Sequence, residues 1–107
     1  MTTPSAESNY EDRALEIDFL RHRVQLRGQI VALSATEFRL LTVLVRNAGL
    51  VMSTARLLEL AWGEKEVGHA NVRAYIRHLR KKLEGGPSPL IETVREFGYR
   101  YNPPGVS

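Results

Sequence analysis

Asn71-Val72-Arg73-Ala74-Tyr75-Ile76-Arg77-His78-Leu79-Arg80-Lys81-Lys82-Leu83 is the stretch on which the reading of the chain turns. Its apolar residues Val72, Ile76, Leu79 and Leu83 recur at i, i+4, i+7 and i+11, one narrow stripe of an α-helix. At about 100° per residue, Ala70, Ala74, His78 and Lys81 fall on or near the opposite side. Asn71, Tyr75, His78 and Lys82 form one flank; Arg73, Arg77 and Arg80 form the other. The stretch holds five basic residues and no acid, while the rest of the chain holds ten basic against twelve acidic residues. The net charge of +3 is therefore a local surplus on one helix. A helix with a dry stripe and a basic face fits the DNA major groove, which admits a helix between two rows of phosphates. The plainer alternative is a solvated surface helix. Such helices normally mix signs for i,i+4 pairing. Here no acid appears before Glu84, and Ala70 and Ala74 leave room for a close approach.

Composition narrows the class. With 107 residues the chain is the size of one domain with a modest core. Its 43% apolar and 25% charged residues are those of a soluble globular protein. It has no cysteine, which excludes disulfides and thiolate metal sites and fits a reducing cytoplasm. No apolar run approaches the roughly 20 residues of a membrane span. The N-terminus lacks the basic-then-apolar pattern of a signal peptide.

Outward from the basic helix, the chain divides into short, well-punctuated pieces. Residues 1–13 are polar and aperiodic and read as a flexible tail or linker remnant. The folded domain is expected over 14–103, with a tail at 104–107. Leu15, Ile17 and Phe19 alternate with Glu16 and Asp18; Val24 and Leu26 follow; residues 30–33 come after a turn at Arg27-Gly28-Gln29. These three signals predict an antiparallel meander that needs helices over one face. Ser34 and Glu37 predict a capping box, Leu33 a staple to Phe38, and the helix they open a buried face of Phe38, Leu41, Leu44 and Val45. It runs to about Arg46 or Asn47, with Arg39 and Arg46 read as solvated.

Ser53 caps a second helix from Thr54 to about Trp62, which Gly63 terminates. Two helices and a short turn, followed by a basic helix, make a helix-turn-helix order. Gly85-Gly86-Pro87-Ser88-Pro89 then breaks the chain. Residues 90–94 and 99–101 read as strands around Arg95-Glu96-Phe97-Gly98, a basic hairpin placed as a wing.

Four motifs now stand in register: Thr36-Glu37-Phe38-Arg39-Leu40-Leu41; Leu57-Leu58-Glu59-Leu60-Ala61-Trp62-Gly63; Val72-x-x-Tyr75-Ile76-Arg77-x-Leu79-Arg80-Lys81-Lys82-Leu83; and Thr93-Val94-Arg95-x-x-Gly98-Tyr99-Arg100-Tyr101. Together they resemble the OmpR/PhoB-type winged helix-turn-helix, the C-terminal effector domain of bacterial two-component response regulators. The resemblance implies an α+β fold: a four-stranded N-terminal antiparallel sheet, three helices and a C-terminal β-hairpin wing. It implies sequence-specific binding of double-stranded promoter DNA and transcription regulation in the bacterial cytoplasm. Helix 70–84 would lie in the major groove and wing 94–99 in the minor groove. Two copies would sit head-to-tail on direct repeats.

Asn71, Arg73, Tyr75, Arg77, His78, Arg80 and Lys81 match family positions that face bases or phosphates, and Arg95 matches a minor-groove arginine. Trp62, Thr93 and Tyr99 match phosphate-contacting or backbone-anchoring positions; for Trp62 the residue type itself favours packing. Glu64, Lys65, Glu66 and Val67 match a loop that can touch RNA polymerase. Two residues depart from the pattern. His78 stands where relatives often have arginine, and Glu96 where the wing often has glycine. Typical members also carry a receiver domain, which the residues before the first strand are too few to supply. The chain is expected to be either an excised effector domain or a stand-alone regulator.

Other functions fit less well. His22, His69 and His78 fall in different elements without metal-ligand spacing, and Ser34 and Ser53 read as caps. No enzyme activity, metal or cofactor is expected. The alternative is a winged helix that binds protein instead of DNA, with Glu64 and Glu66 as its recognition loop. The acid-free basic helix followed by Arg95 and Arg100 speaks against it.

Overall fold

The structure is a computed structural model that describes residues 9–63, 69–86 and 89–104. Strands β1 (Asn9–Glu11), β2 (Leu15–Asp18), β3 (Arg23–Leu26) and β4 (Gln29–Val31) form one antiparallel sheet in chain order. Helices α1 (Ala35–Arg46), α2 (Thr54–Trp62) and α3 (His69–Lys82) follow, then the hairpin β5 (Ile91–Val94) and β6 (Gly98–Tyr101). The expected α+β winged architecture is present.

The sheet begins earlier than the residue pattern suggests. Residues 9–11, read as part of a tail, pair with β2, with Tyr10 opposite Ile17. A three-residue strand is too short to display alternation. Its partners are tertiary. The Tyr10 ring meets Tyr101 edge-on at 6.2 Å. Just beyond the strand, Asp12 accepts hydrogen bonds from the hydroxyls of Tyr10 and Tyr101, each at 2.6 Å. Its other oxygen accepts the backbone N–H groups of Ala14 and Leu15, each at 2.7 Å. Burial raises the Asp12 pKa, but these four donors outweigh it and hold the carboxyl below its usual range. Burial and the same carboxylate push both tyrosines upward.

Tyr10, Ile17, Val24 and Val31 are successive cross-strand partners, so one side chain per strand lies in a row on the inner face. Arg27 and Gly28 both have positive φ, the signature of a two-residue type I′ turn between β3 and β4. The sheet meets α1 through Phe19 and Phe38, edge-on at 6.5 Å.

The capping box that opens α1 is formed. Ser34 accepts from the Glu37 N–H, and Glu37 accepts from the Ser34 N–H at 2.8 Å. Glu37 is only 5% exposed, yet Lys82 Nζ from α3 reaches its Oε1 at 2.6 Å. Burial opposes ionisation there, but Lys82 and the Ser34 N–H prevail and keep the Glu37 pKa low. Arg39 and Arg46 do more than face water. Arg39 Nε donates to Ala61 O at the end of α2 at 3.0 Å, and the Arg46 guanidinium lies 4.5 Å above the Phe19 ring.

The stripe Val72, Ile76, Leu79 and Leu83 is wholly buried with the apolar faces of α1 and α2. At about 2 kcal/mol for each such side chain, it fixes the rotation of α3 more firmly than any surface pair. The extended link between α1 and α2 joins the wing sheet. Met52 N donates to Tyr99 O at 2.7 Å, and Tyr99 N returns a bond to Met52 O at 2.9 Å. Gly98, at φ +152°, makes this approach possible: a Cβ there would stand 2.0 Å from the Met52 carbonyl oxygen.

The Asp12 clasp generates a prediction. Asp12→Ala leaves the Tyr101 hydroxyl without its acceptor inside the core, and stability at neutral pH should fall by about 2 kcal/mol. Because the folded Asp12 pKa is depressed, its contribution is complete above the unfolded value of about 4 and fades as pH falls below it. Urea unfolding of parent and variant should therefore differ at pH 7 and converge towards pH 2. A constant gap across that range would show that the carboxylate charge is not what Asp12 contributes.

Candidate nucleic-acid interface

With its stripe buried, α3 turns Arg73, Arg77, His78 and Lys81 to solvent, together with Asn71. Its two flanks meet different neighbours. On one, the buried Trp62 of α2 packs edge-on to Tyr75 at 5.4 Å, and Tyr75 in turn meets His78 at 6.0 Å. Lys82, farther along, is held by Glu37. The other flank looks across an open cleft of about 860 Å³ to the wing, with Arg73, Arg77 and Arg80 on one wall and Thr93, Arg95 and Phe97 among the residues opposite.

The basic residues are not equivalent. Arg80 Nε donates to the Ile91 carbonyl at 3.1 Å, its Nη2 donates to the Thr93 hydroxyl, and its guanidinium lies 5.8 Å from the Tyr99 ring centroid. The side chain is half-buried and spans the gap between α3 and β5. Arg100 is engaged across the hairpin with Glu92 at 2.9 Å. Hydrogen bonds from Asn102 and Arg100 hold the Glu92 pKa low. Arg73, Arg77, Lys81 and Arg95 remain exposed.

Of the residues expected at the site, Arg80, Thr93 and Tyr99 are thus drawn together as a brace, while Trp62 is buried on the opposite flank against Tyr75. Asn71, Arg73, Arg77, His78, Lys81 and Arg95 lie on the outer surface, and Tyr75 is half-buried between Trp62 and His78. Glu64, Lys65, Glu66 and Val67 lie outside the described residues. Thr54, at the start of α2, and Phe97 also line the cleft. Neither was expected there: Thr54 is masked in sequence by its place beside the Ser53 cap, and Phe97 by its place in a turn.

The wing turn is strained. Phe97 N–H donates to Val94 O at 2.9 Å, and Glu96 sits between them with φ +72°, a left-handed conformation that a side chain disfavours. Among the described residues, no cluster of His, Asp and Glu is arranged to hold a metal. No helix among them is long and apolar enough to cross a membrane.

Residues 28–101 match the family model described as "Transcriptional regulatory protein, C terminal". The chain belongs to this family. It is 39% identical over 90 residues to the probable transcriptional regulatory protein TcrX of Mycobacterium tuberculosis, covering 83% of this chain and 38% of that protein. The response regulator DrrB, an OmpR/PhoB homologue from Thermotoga maritima, superimposes with a TM-score of 0.80 at 32% identity, over 89% of this chain and 44% of that one. The DNA-binding domain of Klebsiella pneumoniae RstA, in complex with the RstA box, gives 0.78 at 34% identity, over 89% and 97% respectively. The chain therefore spans well under half of regulators such as TcrX but nearly all of the RstA DNA-binding domain. The OmpR/PhoB-type winged helix-turn-helix read from the four motifs is the fold of this chain.

For this OmpR/PhoB-type domain, Glu96 separates strain from charge. Glu96→Gly removes a left-handed side chain, worth about 1–2 kcal/mol, against an unfolded-state entropy cost of about 0.4–1 kcal/mol, so stability should rise. Glu96→Gln removes only the charge and should melt with the parent. Equal thermal midpoints for all three proteins would show that this turn carries no strain.

Proposed function

We propose that this chain is a sequence-specific, double-stranded DNA-binding domain that regulates transcription, the effector part of a cytoplasmic two-component response regulator. The observation that carries the reading is the exposed, acid-free face of α3, with Arg73, Arg77 and Lys81 outward and Arg95 beside them on the wing. The likeness to the RstA domain, whose structure is described with the RstA box, supports it.

In this reading the outer face of α3 enters the major groove and residues 94–99 reach the adjacent minor groove. Arg73, Arg77 and Lys81 neutralise phosphates, while Asn71 and His78 face base edges. The His78 ring is shorter than an arginine and lacks its two-pronged donor, so base preference at that position differs from relatives with arginine there. Arg80, Thr93 and Tyr99 set the angle between helix and wing, and Trp62 supports the other flank of α3 through Tyr75. Two copies occupy a direct repeat head-to-tail, and residues 64–67 are the surface offered to RNA polymerase.

Selection of bound duplexes from a random pool tests the reading. Enriched sites should contain a direct repeat with half-sites about 10 base pairs apart, one helical turn. On these and on random duplexes, Arg77→Ala should weaken binding and reduce the salt slope by about one unit. A pool that shows no enrichment, with Arg77→Ala indistinguishable from the parent, would sink the assignment.

A further inference from the structure

The hairpin that presents Arg95 also presents an aromatic ring for which the core has no use. Phe97 is 69% exposed, although burying such a ring is worth about 2–3 kcal/mol. The backbone on either side of it is tied down. Its N–H is committed to Val94 O, and Gly98 next to it lies so close to the Met52 carbonyl that a Cβ there would stand 2.0 Å from its oxygen. The ring lines the same cleft as Arg73, Arg77 and Arg95, whose walls carry four arginines and one glutamate. An apolar ring among guanidinium groups suits an occupant with negative charge outside and flat apolar surface just behind it. Duplex DNA has that layering, with phosphates in front of deoxyriboses and base steps. An acidic protein surface offers carboxylates on flexible side chains but no regular slot for a ring at a hairpin tip.

We propose that Phe97 is an apolar wedge that enters the minor groove beside Arg95 and partly opens one base step. This rests on the DNA-binding reading above and adds a shape-reading residue to it. Arg95 brings charge, whereas Phe97 neutralises no phosphate. It therefore contributes affinity without salt dependence and favours flexible pyrimidine–purine steps.

The probe is the duplex enriched by the parent chain, with 2-aminopurine replacing each flanking adenine in turn. Binding of the parent should raise fluorescence at one flanking step, where stacking is lost. Phe97→Ala should abolish that rise and weaken binding about five- to tenfold, with the salt slope unchanged. Phe97→Leu, still apolar, should retain most of both. Since the ring is exposed, both variants should melt with the parent. If Phe97→Ala binds as tightly as the parent and gives the same rise, the wedge is overturned while the DNA-binding reading stands. A loss accompanied by a smaller salt slope also overturns it, because the effect would then come from a displaced Arg95. If the parent itself binds no duplex, both readings fall.

Discussion

The stripe of Val72, Ile76, Leu79 and Leu83 has one dry place to go, and its burial sets everything outward of it. A helix that must seat four apolar side chains against α1 and α2 has no freedom to roll. Its rotation decides that Tyr75 meets Trp62, that Arg80 faces β5, and that Arg73, Arg77 and Lys81 are left to solvent. The basic surface is thus the remainder after packing, and its direction is inherited from the core.

Charge on this helix is divided by what stands next to each residue. Lys82 and Arg80 are equally basic in sequence, but one meets the buried Glu37 and the other the carbonyl of Ile91. A lysine suits the first site, where a single carboxylate oxygen needs a point charge. An arginine suits the second, where its fork reaches a carbonyl and a hydroxyl at once and its plane lies near an aromatic ring. Both have become structural. The surplus of positive charge that first marks the helix is real, but part of it is spent inside the domain.

What could be read from the sequence was what local chemistry determines. Helical spacing showed the buried stripe, cap residues showed the starts of α1 and α2, alternation showed β2 and β3, and turn signals marked β4 and the wing strands. The four motifs then supplied the order of the whole fold. Contacts between distant segments were not legible. Asp12 and Tyr101 are 89 residues apart and Lys82 and Glu37 are 45 apart, with no local pattern at either end. The wheel placed Arg80 on the correct flank but could not show that β5 stands within its reach. β1 was invisible because its partner ring, Tyr101, comes at the end of the chain. The prominence of Phe97 and the close backbone approach at Gly98 beside it are visible only in the assembled wing.

The Arg80 brace makes a caliper of the domain. Its bonds to Ile91 and Thr93 join the helix to the hairpin, and the Met52–Tyr99 pairing stiffens the hairpin from behind. The jaws of a caliper do not adjust to what they measure. For a duplex held between α3 and the wing, misfit in groove width or helical twist would have to be absorbed by the DNA. Sequences that deform at low cost would then be favoured even at base pairs that no side chain touches.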